Sequence, residues 1–165
     1  MKKIAVLLVA LAIISCHSKA QKKTFSEKAL SETLLATDGS QVAFKTIIEN
    51  QKGKNVVFEI WASWCSDCIK AMPKIKTLQA QHPEVAFTFI SMDKSPSKWQ
   101  AGIEKYQLQG NHYMANDQMQ GVFGKAIDLD WIPRYIILDK TGKIVLYRAI
   151  ETDFTQMDEL LNTLK

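Results

Sequence analysis

The sequence predicts an α/β domain built on a mixed central β-sheet, and three observations carry the prediction. Two near-continuous apolar runs, "VVFEIWA" and "EVAFTFISMD", flank a segment with helical periodicity. Runs of that kind belong to central strands covered on both faces. Further along, two more strand-like runs lie close together and are followed by an amphipathic tail, so strands and helices are layered rather than segregated. At 165 residues, with no repeat, low-complexity tract or linker in the body of the chain, this is one domain's worth of core.

The elements follow in order. "TLLATDGSQVAF" holds two short strand-like runs around Asp38-Gly39, a hairpin signal. "FKTIIENQKGK" predicts a short helix ended by Gly53, ahead of the central strand "VVFEIWA". From about Cys65 to Gln81, Ile69, Met72, Ile75 and Leu78 recur at helical spacing, and Pro73 is expected to interrupt and kink that helix. "SPSKWQAGIEKY" predicts a helix capped by Ser95 with Pro96 at its first position. "NHYMAN" reads as a short strand and "DQMQGVFGKAI" as a weak helix with two glycines. "RYIILD" and "KIVLYRA" form a hairpin through "KTG". Asp153, with Gln156 three residues later, has the pattern of a capping box opening the last helix.

The N-terminus reads as an export signal. Lys2 and Lys3 precede an apolar run of about eleven residues, the length of a signal core and short of the ~20 that a membrane span needs. Ile13-Ile14-Ser15-Cys16 resembles the bacterial lipobox, in which the cysteine is lipid-modified. The resemblance implies a signal peptide over residues 1–15, a lipidated tether over 16–24 and a folded domain over 25–165. Three cysteines in an exported chain leave one unpaired. Assigning Cys16 to an acyl anchor leaves the pair Cys65 and Cys68. The net charge of +4 is modest and partly local to Lys2 and Lys3, and no basic stripe suggests nucleic acid.

The chemistry concentrates in "FEIWASWCSDC". A strand running straight into a helix places Cys65 at the helix N-terminus, where unpaired amides and the helix dipole favour a thiolate. Cys68 follows three residues on, on the same face and within disulfide reach. Cys65 can therefore attack a substrate disulfide, and Cys68 can displace the resulting mixed disulfide.

"WASWCSDC" after a strand, Pro73 five residues beyond the second cysteine, and Ile132-Pro133 ahead of "RYIILD" together resemble the thioredoxin fold. With the lipoprotein-like start and an enlarged middle, the chain is most similar to the TlpA/ResA-like branch of membrane-anchored bacterial thiol-disulfide oxidoreductases. The resemblance extends from about Leu34 to the C-terminus. Pro133 lies 68 residues beyond Cys65, a longer interval than in minimal thioredoxins, and the extra helix and strand of the Ser95–Asn116 region account for the excess. It implies a cis Pro133 packed against the CxxC pair, with Ile132 contacting substrate backbone. Trp64, beside Cys65, is expected to be exposed and to help dock partners, with simple packing as its alternative. Trp131 and Arg134 flank Pro133 and are expected to shape the substrate groove.

The resemblance also gives Glu59 a role as the buried acid that deprotonates Cys68. Burial should raise its pKa toward neutrality. Where thioredoxins place a lysine near that acid, this chain has Phe89; the alternative for Glu59 is a sheet-edge residue paired with Lys54. Asp67, between the cysteines, opposes a strongly depressed thiol pKa, so the potential is expected nearer the reducing end, about −270 mV, than the oxidising end, about −120 mV. The implied function is reduction of disulfides in exported proteins, with electrons from a membrane thiol transporter, in the bacterial cell envelope. No cofactor is implied beyond a redox-active Cys65–Cys68 disulfide.

Other chemistries fit less well. Zinc needs four ligands, whereas His17, His82 and His112 are unpaired in sequence. Copper delivery like that of the Sco branch wants CxxxC with a partnered histidine, and a peroxiredoxin-like site wants threonine where Ala62 stands. Met92, Met114 and Met119 read as core fillers. The rival from another class is a tethered scaffold module of the same fold in which Cys65–Cys68 is only a structural disulfide.

Overall fold

A computed structural model describes residues 21–165; the expected signal peptide and Cys16 lie outside the described residues. A short helix that the sequence reading did not anticipate, α1 (Glu27–Ser31), is capped by the Ser26 hydroxyl on the Ala29 amide. The hairpin β1 (Thr33–Ala36) and β2 (Gln41–Ala43) follows, its turn held by the Asp38 carboxylate on the Ser40 amide and hydroxyl. Helix α2 (Phe44–Glu49) stops before Gly53, since its last carbonyls are already taken by turn bonds from Asn50 and Gln51. Gly53, at φ 88°, instead turns the chain so that its amide reaches the Lys140 carbonyl.

The central strand β3 (Val56–Trp61) is buried at every position. It leads into α3 (Ser66–Gln81), which continues as helix through Pro73. Cys68, Ala71, Met72, Ile75 and Leu78 are its buried residues. Strand β4 (Ala86–Ser91), helix α4 (Pro96–Tyr106), strand β5 (Asn111–Ala115) and helix α5 (Val122–Ala126) come next. Strands β6 (Arg134–Leu138) and β7 (Ile144–Ala149) form the second hairpin, and α6 (Phe154–Thr163) closes the chain. Ser95 and Asp153 occupy the cap positions, but neither side chain accepts a backbone amide of its own helix, and the Ser95 hydroxyl meets the Ser97 hydroxyl instead. The Asp153 carboxylate accepts the upstream Ile150 amide instead, so the expected capping box does not form.

The sheet has the order β2-β1-β5-β4-β3-β6-β7. Strands β3, β4 and β5 are parallel, and the pairs on either side are antiparallel. Consequently the ends of β3, β4 and β5 and the start of β6 gather at one edge of the sheet. Strand residues alternate between faces. Phe58 turns toward Phe25, Phe44 of α2 and, through Phe44, Phe123 of α5. Glu59 therefore turns to the opposite face, where its register neighbour Tyr135 packs edge-on against Phe154 of α6. Helices α3 and α6 pack together on that face, and the buried His82 at the end of α3 joins them by a 2.6 Å contact to Asp158.

The last residues of the expected tether already touch the domain. The Lys23 carbonyl accepts the Ile144 amide at 2.9 Å, and Lys22 pairs with Asp128, holding that carboxyl below its ordinary pKa. Ile144 registers with Leu138, and Leu138 with Val56 at the start of β3. The chain thus enters at the end of the sheet remote from the cysteines.

Candidate active site

The loop Ala62–Trp64 carries the chain from β3 into α3, and Cys65 is the residue that caps the helix. Its Sγ accepts the Cys68 amide at 3.1 Å, the bond an N-cap side chain normally makes. A sulfur at this position is stabilised as an anion by the amide and by the helix dipole. Cys65 and Cys68 are joined as a disulfide, with Cα atoms 5.3 Å apart. Both are buried, Cys68 completely.

Across the chain, the Ile132–Pro133 peptide is cis. The Ile132 carbonyl oxygen lies 3.6 Å from the Cys65 sulfur, so the two segments meet at the gathered edge of the sheet. Ile132 and Pro133 are buried, whereas Trp64, next to Cys65 in the chain, and Trp131, next to Ile132, are 55% and 57% exposed. Arg134 forms an ion pair with Asp130 at 2.8 Å, and Asp130 also binds Arg148. Those two guanidiniums hold the Asp130 carboxyl well below its usual range.

Glu59 is 1% exposed on the central strand, with Phe89 and Tyr135 beside it in register. The sheet-edge alternative is thereby overturned: no hydrogen-bond partner reaches either carboxylate oxygen among the described residues. Desolvation pushes its pKa up to about 8. Burial also raises the pKa of the Tyr135 phenol, whose hydroxyl likewise has no partner among the described residues. Glu59 and α3 lie on the same side of the sheet, so the carboxyl sits in the layer that holds Cys68. Asp67 is near the surface in the first turn of α3, 3.4 Å from Lys70. His112 stacks on Phe89 and bonds the Leu108 carbonyl, a packing role. Among the described residues no cluster of metal-ligating side chains occurs.

Sequence reasoning missed Asp93. This buried carboxylate accepts the Ser63 amide at 2.9 Å, the Ser63 hydroxyl at 2.7 Å and the Ser91 hydroxyl at 2.7 Å. It clamps the loop that delivers Cys65 to the end of β4. The available signal was an aspartate ending an apolar strand, with a serine two residues before each of Asp93 and Cys65. Gly102 of α4 tightens the same loop, since a Cβ there would lie 2.7 Å from the Ser63 Cβ and 3.1 Å from Trp61.

Two cavities bear on access. One of about 710 Å³ lies between α3 and the end of α4, far down the helix from Cys65. Another, of about 430 Å³, opens beside Trp64.

Comparison with known proteins bears on family and fold. The sequence model of the Redoxin family matches residues 19–161. Thioredoxin-like protein YneN of Bacillus subtilis is 34% identical over 68 residues, 39% of this chain and 40% of that protein. Thiol-disulfide oxidoreductase ResA of Bacillus cereus is 23% identical over 146 residues, 87% of this chain and 80% of that protein. The crystal structure of the thioredoxin domain of a thiol-disulfide oxidoreductase from Bacteroides vulgatus superposes with a TM-score of 0.67. It is 21% identical and the match covers 86% of this chain and 99% of that one, which establishes the fold.

Proposed function

The chain belongs to the Redoxin family, and from that premise we propose that it is a thiol-disulfide oxidoreductase that reduces disulfides in exported proteins. One observation carries the reading: a disulfide whose first sulfur caps a helix, accepts an amide bond, and lies 3.6 Å from the Ile132 carbonyl of a distant segment. A purely structural disulfide needs none of these.

In the reduced protein the Cys65 thiolate attacks one sulfur of a client disulfide. The other client sulfur leaves as a thiolate and takes a proton from water. Cys68 then gives its proton to the Glu59 carboxylate and attacks the Cys65 sulfur, expelling the second client thiolate. Two electrons have passed from the Cys65–Cys68 dithiol to the client, and the resulting disulfide is reset by a membrane dithiol donor. Ile132, Pro133 and Trp64 border the attacked sulfur and hold the client backbone and flank. This role needs no further cofactor.

The reading includes anchoring through a lipidated Cys16 in the cell envelope. Support comes from where the chain enters the domain. Lys23 is seven chain steps beyond Cys16, a stretch that can span at most about 25 Å, and Lys23 meets the sheet end remote from Cys65. An anchor there directs the redox edge away from the membrane, toward clients.

Dithiothreitol-coupled reduction of insulin tests the activity. The protein should accelerate precipitation of the insulin B chain, and Cys65→Ser should not. Equal, background rates for both would favour the scaffold reading, in which the disulfide is only structural.

A further inference from the structure

The cavity beside Trp64 is a built feature of the redox edge. Met92, at the end of β4 and fully buried, forms its floor together with the half-buried Met119 of the β5–α5 loop. That loop is held rigidly. The Asp117 carboxylate accepts the amides of Val122 and Phe123, and a Cβ on Gly121 would fall 1.9 Å from the Asp117 Cγ, so only glycine lets the turn close. A Cβ on Gly124 would likewise meet the Met119 carbonyl at 2.1 Å.

Two further observations indicate what the cavity takes. The large apolar side chains exposed among the described residues are Trp64, Val122 and Trp131. Trp64 lines the cavity, Val122 follows its wall and Trp131 stands beside the cis proline. Apolar exposure gathered at one end of a protein marks an interaction surface. The charges at the mouth are unbalanced: Asp117 is committed to the α5 amides, whereas the exposed Lys94 has no ion-pair partner among the described residues. Polarisable methionine floors suit unbranched or branched aliphatic side chains.

Building on the oxidoreductase reading, we propose that this cavity is a client-selecting pocket. It seats an aliphatic side chain next to the client's reacting cysteine, while Lys94 pairs with a carboxylate one or two residues further along. Adjacency to Cys65 through Trp64 means that a client whose sulfur lies at Cys65 carries its flank over the opening. The occupant is thus an extended client segment with an apolar-acidic flank.

The test is single-turnover oxidation of the pre-reduced full chain by synthetic peptide disulfides with Leu-Asp, Leu-Lys or Ser-Asp beside the cysteine, followed by tryptophan fluorescence. The Leu-Asp peptide should react about 5-fold faster than Leu-Lys, as expected for one exposed pair replaced by a repulsion. It should react about 10-fold faster than Ser-Asp, from the buried aliphatic area. Lys94→Glu should reverse the charge preference and Lys94→Arg should keep it. Met119→Lys should abolish the Leu preference. Each readout is a ratio within one protein, so a general loss of activity does not mimic the result. An unchanged charge preference in Lys94→Glu would overturn the proposal. So would wild-type rates indifferent to the flank, if 2-hydroxyethyl disulfide is still reduced. A wild type inert to that small disulfide and to every peptide would overturn the oxidoreductase reading itself.

Discussion

Glu59 is the residue at which the proposed chemistry and the stability of the fold meet. Its carboxyl is buried on the central strand with no partner among the described residues, and desolvation pushes its pKa up to about 8 from the ordinary 4.5. Between those values the unfolded chain has released this proton and the native chain has kept it. Native stability therefore falls as pH rises from 4.5 to 8, by an amount on the order of 4 kcal/mol. Glu59→Gln should remove that dependence and unfold at higher denaturant concentration than wild type at pH 8, in urea titrations at pH 5 and pH 8. The same variant should slow resolution of a mixed disulfide on the order of 10²-fold and lose the pH inflection near 8, as expected when a general base is removed. A variant with the wild-type pH profile would show that another group takes the Cys68 proton. The glutamate was legible in sequence because a carboxylate in an apolar run is conspicuous. Its lack of a partner was not, because this depends on Phe89 and Tyr135 arriving from two other strands.

At the scale of elements, the start of α3 is set as much by its neighbours as by its own residues. The Asp93 clamp and the close approach of α4 at Gly102 fix the loop ahead of Cys65. In an exposed helix, Gly→Ala would stabilise by about 1 kcal/mol. Gly102→Ala should instead destabilise by about 1–3 kcal/mol, because its Cβ forces Ser63 or Trp61 to shift. It should also lower the rate of attack by Cys65 while leaving Cys65 the more reactive thiol. Thermal melts and iodoacetamide mapping check the two parts; a more stable variant would mean that the loop yields without strain. Helix boundaries were legible to within a few residues, whereas cap chemistry was not. Ser95 and Asp153 stand where caps belong, yet the Asp153 carboxylate finds the Ile150 amide first. A short polar side chain with two backbone donors in reach chooses by local geometry, which residue type does not encode.

For the whole molecule, the quantity that decides direction is the reduction potential. The Cys65 thiolate gains one amide bond and the helix dipole, and Asp67 in the same turn acts against both. Equilibration with glutathione and dithiothreitol buffers should place the potential nearer −270 than −120 mV. A value above the midpoint would make the protein an oxidant and reverse the proposed electron flow. Sequence alone was enough for the parts whose causes are local in the chain. The i, i+3 spacing puts Cys68 on the face of Cys65, apolar runs buried on both faces must be central strands, and a cysteine between strand and helix must lie at a helix start. Tertiary structure decided what depends on the order of strands. Cys65 meets the Ile132 carbonyl across 67 residues and Ser63 meets Asp93 across 30, while the wall of the Trp64 cavity comes from the loop after β5. Those meetings follow from β4 lying beside β3, from β5 lying beside β4 and from β6 running back along β3. Strand order is chosen by the packing of both helical layers at once, so no stretch of the chain records it by itself.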